Sequence, residues 1–188
     1  MSAPNITKAD DVVEYLVAQH ETIKKLFIET LDASDADTQR AAFTKLRTLL
    51  AVHETAEEMI VHPRVRRKID GGAAVVDERL AEEHDSKVAL SEIENLEPGT
   101  AEFSKALIHL QAAVKEHAEH EESLEFPALR DGVSADELAK LAEAVRVAER
   151  IAPTHPHPGV ESATLNFAVG PFVSMVDRAR DALGHVLR

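Results

Sequence analysis

The chain has 188 residues, of which 44% are apolar; this is enough for a compact domain with a buried core and argues against a wholly disordered protein. A formal net charge of −13 opposes association with phosphate backbones or anionic lipid surfaces, so neither nucleic acid nor a membrane is an expected partner. The absence of cysteine excludes disulfides, thiolate-bound zinc, iron–sulfur clusters and a cysteine nucleophile. With no apolar run of membrane-spanning length, a soluble cytoplasmic protein is expected.

Aromatic residues are scarce, while Ala, Leu, Val, Glu and Lys dominate, which favours helices over sheet. A first helix is predicted from about Lys8 to Leu31, with Thr7 as its N-cap and Val12, Tyr15, Leu16, Ile23, Leu26 and Phe27 at helical spacing. After a polar turn over Asp32–Asp37, a second helix runs from about Thr38 to Val61, and Pro63 is expected to end or kink it. Gly71-Gly72 opens a third, about Ala74 to Leu96. Pro98-Gly99 closes it, and Thr100 caps a fourth that reaches about Glu125, just before Pro127.

Four long helices joined by short breaks predict an all-α, up-down four-helix bundle over residues 1–130. The remainder, 131–188, is expected to add two C-terminal helices packed on the bundle. Ser134-Ala135-Asp136-Glu137 fits a capping box for a helix to about Ile151, and Gly170-Pro171 introduces a last helix from about Phe172 to Val186. Between them, three prolines within Ala152–Gly159 demand an extended loop.

The chain also repeats itself. An offset of 64 residues carries His20 onto His84, His53 onto His117, Glu57 onto Glu121, Glu58 onto Glu122, Pro63 onto Pro127 and Arg66 onto Arg130. Elsewhere the overlay is poor, so the shared positions are mainly of the types that hold metals. Positions four apart on a helix differ by about 40° around its axis. His53 with Glu57, and His117 with Glu121, therefore each present an imidazole and a carboxylate to one point, and His20 and His84 lie on the preceding helices. Two histidines and one carboxylate per half suit non-haem iron with open positions, and two halves around one centre make a dinuclear site natural. Zinc competes on ligand chemistry, but His53-Glu54-Thr55-Ala56-Glu57 has Glu where a zincin needs its second His, and no Glu-x-x-His pair of the ferritin type occurs at these histidines.

On these residues, and on the element H-x-x-x-E-E-x-x-x-x-P occurring twice, the chain from about Val12 to Arg130 resembles the hemerythrin-like proteins with the HHE cation-binding domain. The resemblance implies an oxo- or hydroxo-bridged centre of two iron ions, with His20, His53, His84 and His117 as terminal ligands and Glu57 and Glu121 bridging. Oxygen-carrying hemerythrins have a fifth histidine, one turn beyond the third-helix ligand; here that position is Val88. Glu54 is the first candidate to fill the gap and His120 the second. A carboxylate in that place stabilises ferric iron and disfavours reversible O₂ carriage. The function so implied is action on a small oxidant in oxidative stress: H₂O₂ disproportionation, or detoxification of nitric oxide. Alternatives are a non-catalytic O₂- or iron-binding module and a metal-free interaction bundle, and the expected assembly is a monomer or weak homodimer. Glu58 and Glu122 are expected beside the ligands or in solvent, Tyr15 in packing, His62, His109 and His185 at the surface or in turns, and His155 and His157 in the proline-locked loop.

Overall fold

A computed structural model describes residues 11–150, 152 and 154–156; among them every regular element is helical. Helix α1 (Val12–Leu31) is capped by Asp11, whose carboxylate accepts from the Glu14 N–H, and α2 (Ala36–Ala56) by Asp35, which accepts from the Thr38 N–H. Thr7 lies outside the described residues. Helix α2 does not stop at Pro63. It passes through a wide π turn over Glu57–Val61, in which the His62 N–H reaches back five residues to the Glu57 carbonyl, and continues as α3 (His62–Lys68). Pro63 stands in the first turn of α3, directly after the π turn.

Gly71 has φ +75°, and a side chain on Gly72 would collide with the Val65 carbonyl, which explains the glycine pair that turns the chain into α4 (Gly72–Ile93). Thr100 caps α5 (Ala101–His120) through the Phe103 N–H. A second π turn, Glu121–Glu125, then leads into α6 (Phe126–Gly132), and Ser134 caps α7 (Ala135–Glu149) through the Glu137 N–H. The two halves thus share one device: a long helix, a π turn starting at a glutamate, a proline and a short helix.

Helix α1 packs on α2 and α5, and α4 packs on α5 and α2, closing a four-helix bundle. Its interior has two apolar layers. One gathers Ile23, Phe27, Phe43, Leu46, Leu50, Leu90, Ile93, Phe103, Leu107 and Leu110. The other joins Val12, Leu16, Val65, Phe126 and Leu129 to Leu141, Ala144 and Val145 of α7, which lies against α1 and α2. Between the layers His20 follows Leu16, His53 follows Leu50, Glu83 precedes Leu90 and Glu121 precedes Phe126. A polar band therefore crosses the middle of the bundle. No described helix is long and apolar enough to cross a membrane.

Candidate metal centre

Burying polar groups in an apolar interior is costly unless each finds a partner, and ionised groups cost most. This bundle nevertheless buries His20, His53, Glu54, Glu57, Glu58, His62, Glu83, His117, Glu121 and Glu125 in one band. Two groups of ligand atoms form there, the atoms of each lying within 4.8 Å of one another: His20, His53, Glu57 and Glu121 in the first, and Glu57, Glu83 and His117 in the second. Glu57 belongs to both. Glu121 also spans them, its Oε2 3.2 Å from His20 Nε2 and its Oε1 3.5 Å from His117 Nε2.

The outer nitrogens of the histidines are already committed. His20 Nδ1 lies 2.8 Å from Glu122 Oε1, His53 Nδ1 2.8 Å from Gln19 Oε1, and His117 Nδ1 2.9 Å from Glu82 Oε2. All three partners are acceptors, so each Nδ1 donates outward and each Nε2 faces inward; burial disfavours charge on His117, but Glu121 and Glu82 hold it protonated, and a bound cation would take the place of its Nε2 proton. Gln19 is oriented in turn, because its amide nitrogen donates to Glu149 Oε1 at 2.5 Å while Tyr15 donates its hydroxyl to Glu149 Oε2 at 2.6 Å. Helix α7 is thereby linked through Gln19 to His53.

The inner atoms lack partners of their own. His20 Nε2 and His53 Nε2 face each other at 3.1 Å. His117 Nε2, both oxygens of Glu57 and of Glu121, and Glu83 Oε2 are buried without a hydrogen bond. Cations placed among these atoms satisfy all of them, and imidazole with carboxylate suits iron, manganese or zinc. Charge balance points the same way. Burial and the neighbouring Glu121 and Glu83 charges hold Glu57 well above the usual carboxylate range. Burial opposes ionisation of Glu121 too, but the His117 charge overcomes it and Glu121 stays ionised. Burial and the adjacent His20 push His53 down to about 3, so it is neutral and able to ligate.

Three expectations change. The inward residue of α4 is Glu83, not His84, which is half-buried and joins neither group. The buried positions Val76, Arg79, Glu83, Ser86, Leu90 and Ile93 alternate by three and four, and His84 stands about 100° off that line. Glu54 is buried but is likewise about 100° from His53; it belongs to neither group and lines a cavity beside them. Burial pushes its carboxyl up to about 8. His62, expected at the surface, is 2% exposed and lies between Glu83 Oε1 at 2.6 Å and Glu125 Oε1 at 3.0 Å. Burial disfavours its charge, but those two carboxylates hold it protonated.

The other expected residues are placed as follows. Tyr15 packs in the core with its hydroxyl on Glu149, His109 is exposed, and His155 meets Glu94 at 2.9 Å. His120 shares Glu82 with His117 rather than turning inward. Glu58 is buried against Lys87, which α4 places 3.8 Å from Glu83. His157 and His185 lie outside the described residues. Sequence inspection missed Glu83, His62, Gln19, Glu82 and Glu149; only Glu83 had a usable signal, the seven-residue spacing from Val76 to Glu83 to Leu90.

Residues 11–129 match the profile of the hemerythrin HHE cation-binding domain. A hemerythrin-like protein of Schizosaccharomyces pombe is 22% identical over 94% of this chain and 88% of its own length. A DNA nickase of Nostoc is 26% identical over 74% of this chain, which spans only 39% of that protein. Among solved structures, a hemerythrin HHE cation-binding domain-containing protein from Mycobacterium kansasii superimposes with a TM-score of 0.66 at 20% identity, covering 74% of this chain and 85% of that one.

Proposed function

The chain belongs to the hemerythrin HHE cation-binding family, and from that premise we propose that it holds two iron ions and disproportionates hydrogen peroxide to water and dioxygen. His20, His53, Glu57 and Glu121 would hold one ion; His117 and Glu83 would hold the other, with Glu57 and Glu121 shared. Bound iron supplies redox cycling between two oxidation states, which no side chain here offers. The protein's own contribution is orientation. Glu122, Gln19 and Glu82 fix three histidine tautomers so that each Nε2 points inward, and His62 holds Glu83 in place. Glu54, with its carboxyl at about 8, carries a proton at neutral pH and presents it beside the ligands.

The observation that carries this proposal is the 3.1 Å confrontation of His20 Nε2 and His53 Nε2 with both outer nitrogens engaged. Oxygen evolution from peroxide by iron-loaded protein, with iron counted by elemental analysis, is the test. A rate no better than free ferric ion removes the catalytic claim, and near-zero iron in protein purified without added metal removes the centre itself.

The apolar cavity that opens onto His20, His53 and His117 favours a second function, binding of an apolar diatomic such as O₂ or nitric oxide. Reversible oxygenated spectra of the diferrous protein support it; oxidation within seconds without such a spectrum counts against it. Nicking of DNA is not proposed, because a net charge of −13 opposes the phosphate contacts that hold DNA.

A further inference from the structure

The cavity ending at the metal centre is far larger than a small oxidant needs. It encloses about 290 Å³, whereas a water molecule's share of the liquid is about 30 Å³ and an apolar cavity of about 150 Å³ takes up benzene. Its walls come from Ile23 and Phe27 of α1, Leu50 of α2, and Ile108 and Val114 of α5. At the rim, Lys24 is tied to Glu21 at 2.8 Å and Lys115 to Glu119 at 3.4 Å, so neither is a spare cation for an anionic guest. At the inner end Glu54 is only 4% exposed, and its Oε2 has no hydrogen-bond partner. An orphaned carboxyl oxygen in an apolar chamber is satisfied by a guest that brings one polar group.

We propose that this cavity binds an uncharged organic molecule with an alkyl or aryl body and one terminal hydrogen-bonding oxygen, the body against Phe27, Leu50 and Val114 and the terminus at Glu54. The site goes beyond the peroxide and gas functions above, because the apolar residues named for its walls are not metal ligands and can hold a guest whether or not turnover occurs.

Benzyl alcohol and ethylbenzene, which differ by a hydroxyl in place of a methyl, are the probes. Calorimetric titration into iron-loaded and into chelator-treated protein is expected to show one site for each, with dissociation constants of roughly 0.1–1 mM. Glu54→Leu weakens benzyl alcohol about fivefold or more and leaves ethylbenzene within about twofold, while Glu54→Gln keeps both. Ala112 lines the mouth and is exposed, so Ala112→Phe leaves melting unchanged yet weakens both probes about tenfold or more. Absence of binding at millimolar probe, indifference to Ala112→Phe, or equal weakening of both probes by Glu54→Leu overturns the proposal. Iron content and peroxide turnover measured on the same samples separate the outcomes: probe binding without turnover sinks the catalytic function alone, and turnover without probe binding sinks the cavity alone.

Discussion

Replacing Gln19 by Leu isolates what the chain from α7 to His53 contributes. Gln19 is 3% exposed; it accepts from His53 Nδ1 at 2.8 Å and donates to Glu149 at 2.5 Å. With leucine the buried His53 Nδ1–H loses its acceptor, a cost of about 1–3 kcal/mol for an unsatisfied buried donor. The neutral ring escapes by moving its proton to Nε2, the nitrogen that must bind metal, so the loss falls on the metal-bound state. Loss of such an outer hydrogen bond typically costs 10- to 100-fold in metal affinity, about 1.4–2.7 kcal/mol, in agreement with the first figure. Metal binding is linked to folding, so metal-loaded Q19L is expected to lose about 3–11 °C more in melting temperature, relative to wild type, than its chelated form does. Chelator-competition titration and paired melting of loaded and chelated protein measure both quantities. Unchanged metal affinity, or equal losses in the two forms, would refute the claim that Gln19 works through the His53 tautomer.

Three more changes probe the rest of the band. Glu83→Gln is expected to lower bound iron from two ions toward one while His84→Ala keeps two, and elemental analysis showing the reverse would return His84 to the ligand set. His62→Ala removes the cation between Glu83 and Glu125 and leaves only Lys87, 3.8 Å from Glu83; it should cost about 3–5 kcal/mol in urea unfolding of the chelated protein, and a loss under about 1 kcal/mol would show that the pair is not charged. Glu54 has a folded value of about 8 against 4.5 for the free group, so it stabilises the metal-free fold most below pH 4.5 and that contribution is lost as pH rises toward 8. Chelated wild-type protein should therefore lose up to ~4 kcal/mol more stability between pH 5 and pH 8 than chelated Glu54→Gln, and parallel pH profiles would contradict the buried, protonated state.

The bundle was legible because its signals are local: Asp, Ser or Thr caps, glycine pairs and three-to-four apolar spacing lie within single turns. His53 with Glu57 and His117 with Glu121 were equally legible, since each pair sits on one uninterrupted helical turn. At α4 the repeat aligns His84 with His20, whereas the structure turns the neighbouring Glu83 into the band. The phase of that helix is set instead by Val76, Leu90 and Ile93, whose burial outweighs one imidazole. His20 survives the same comparison because Leu16 and Ile23 hold it on the buried stripe of α1.

His62 was illegible for a different reason, which also accounts for the spacing of the repeated motif. On a regular helix, residue 62 stands about 140° from residue 57 and faces away from the site. The π turn inserts one residue and places the His62 N–H over the Glu57 carbonyl, turning the imidazole inward onto Glu83 and Glu125. The equivalent turn in the second half places the Phe126 N–H over the Glu121 carbonyl and brings its ring to stack on His20 at 5.7 Å between centroids. One backbone device thus supplies a cation beside one half of the centre and an apolar plate beside the other, and π turns of this kind recur where function needs a side chain re-aimed. Pro63 and Pro127 favour the device, since neither has an N–H to donate to the carbonyl four residues back, at Met59 or Ser123. The recurrence of E-E-x-x-x-x-P is therefore backbone geometry as much as ligand chemistry. Replacing Pro63 by Ala restores that missing donor; if the turn reverts to a regular helix, His62 swings out, and Glu83 loses its partner without any ligand having been changed.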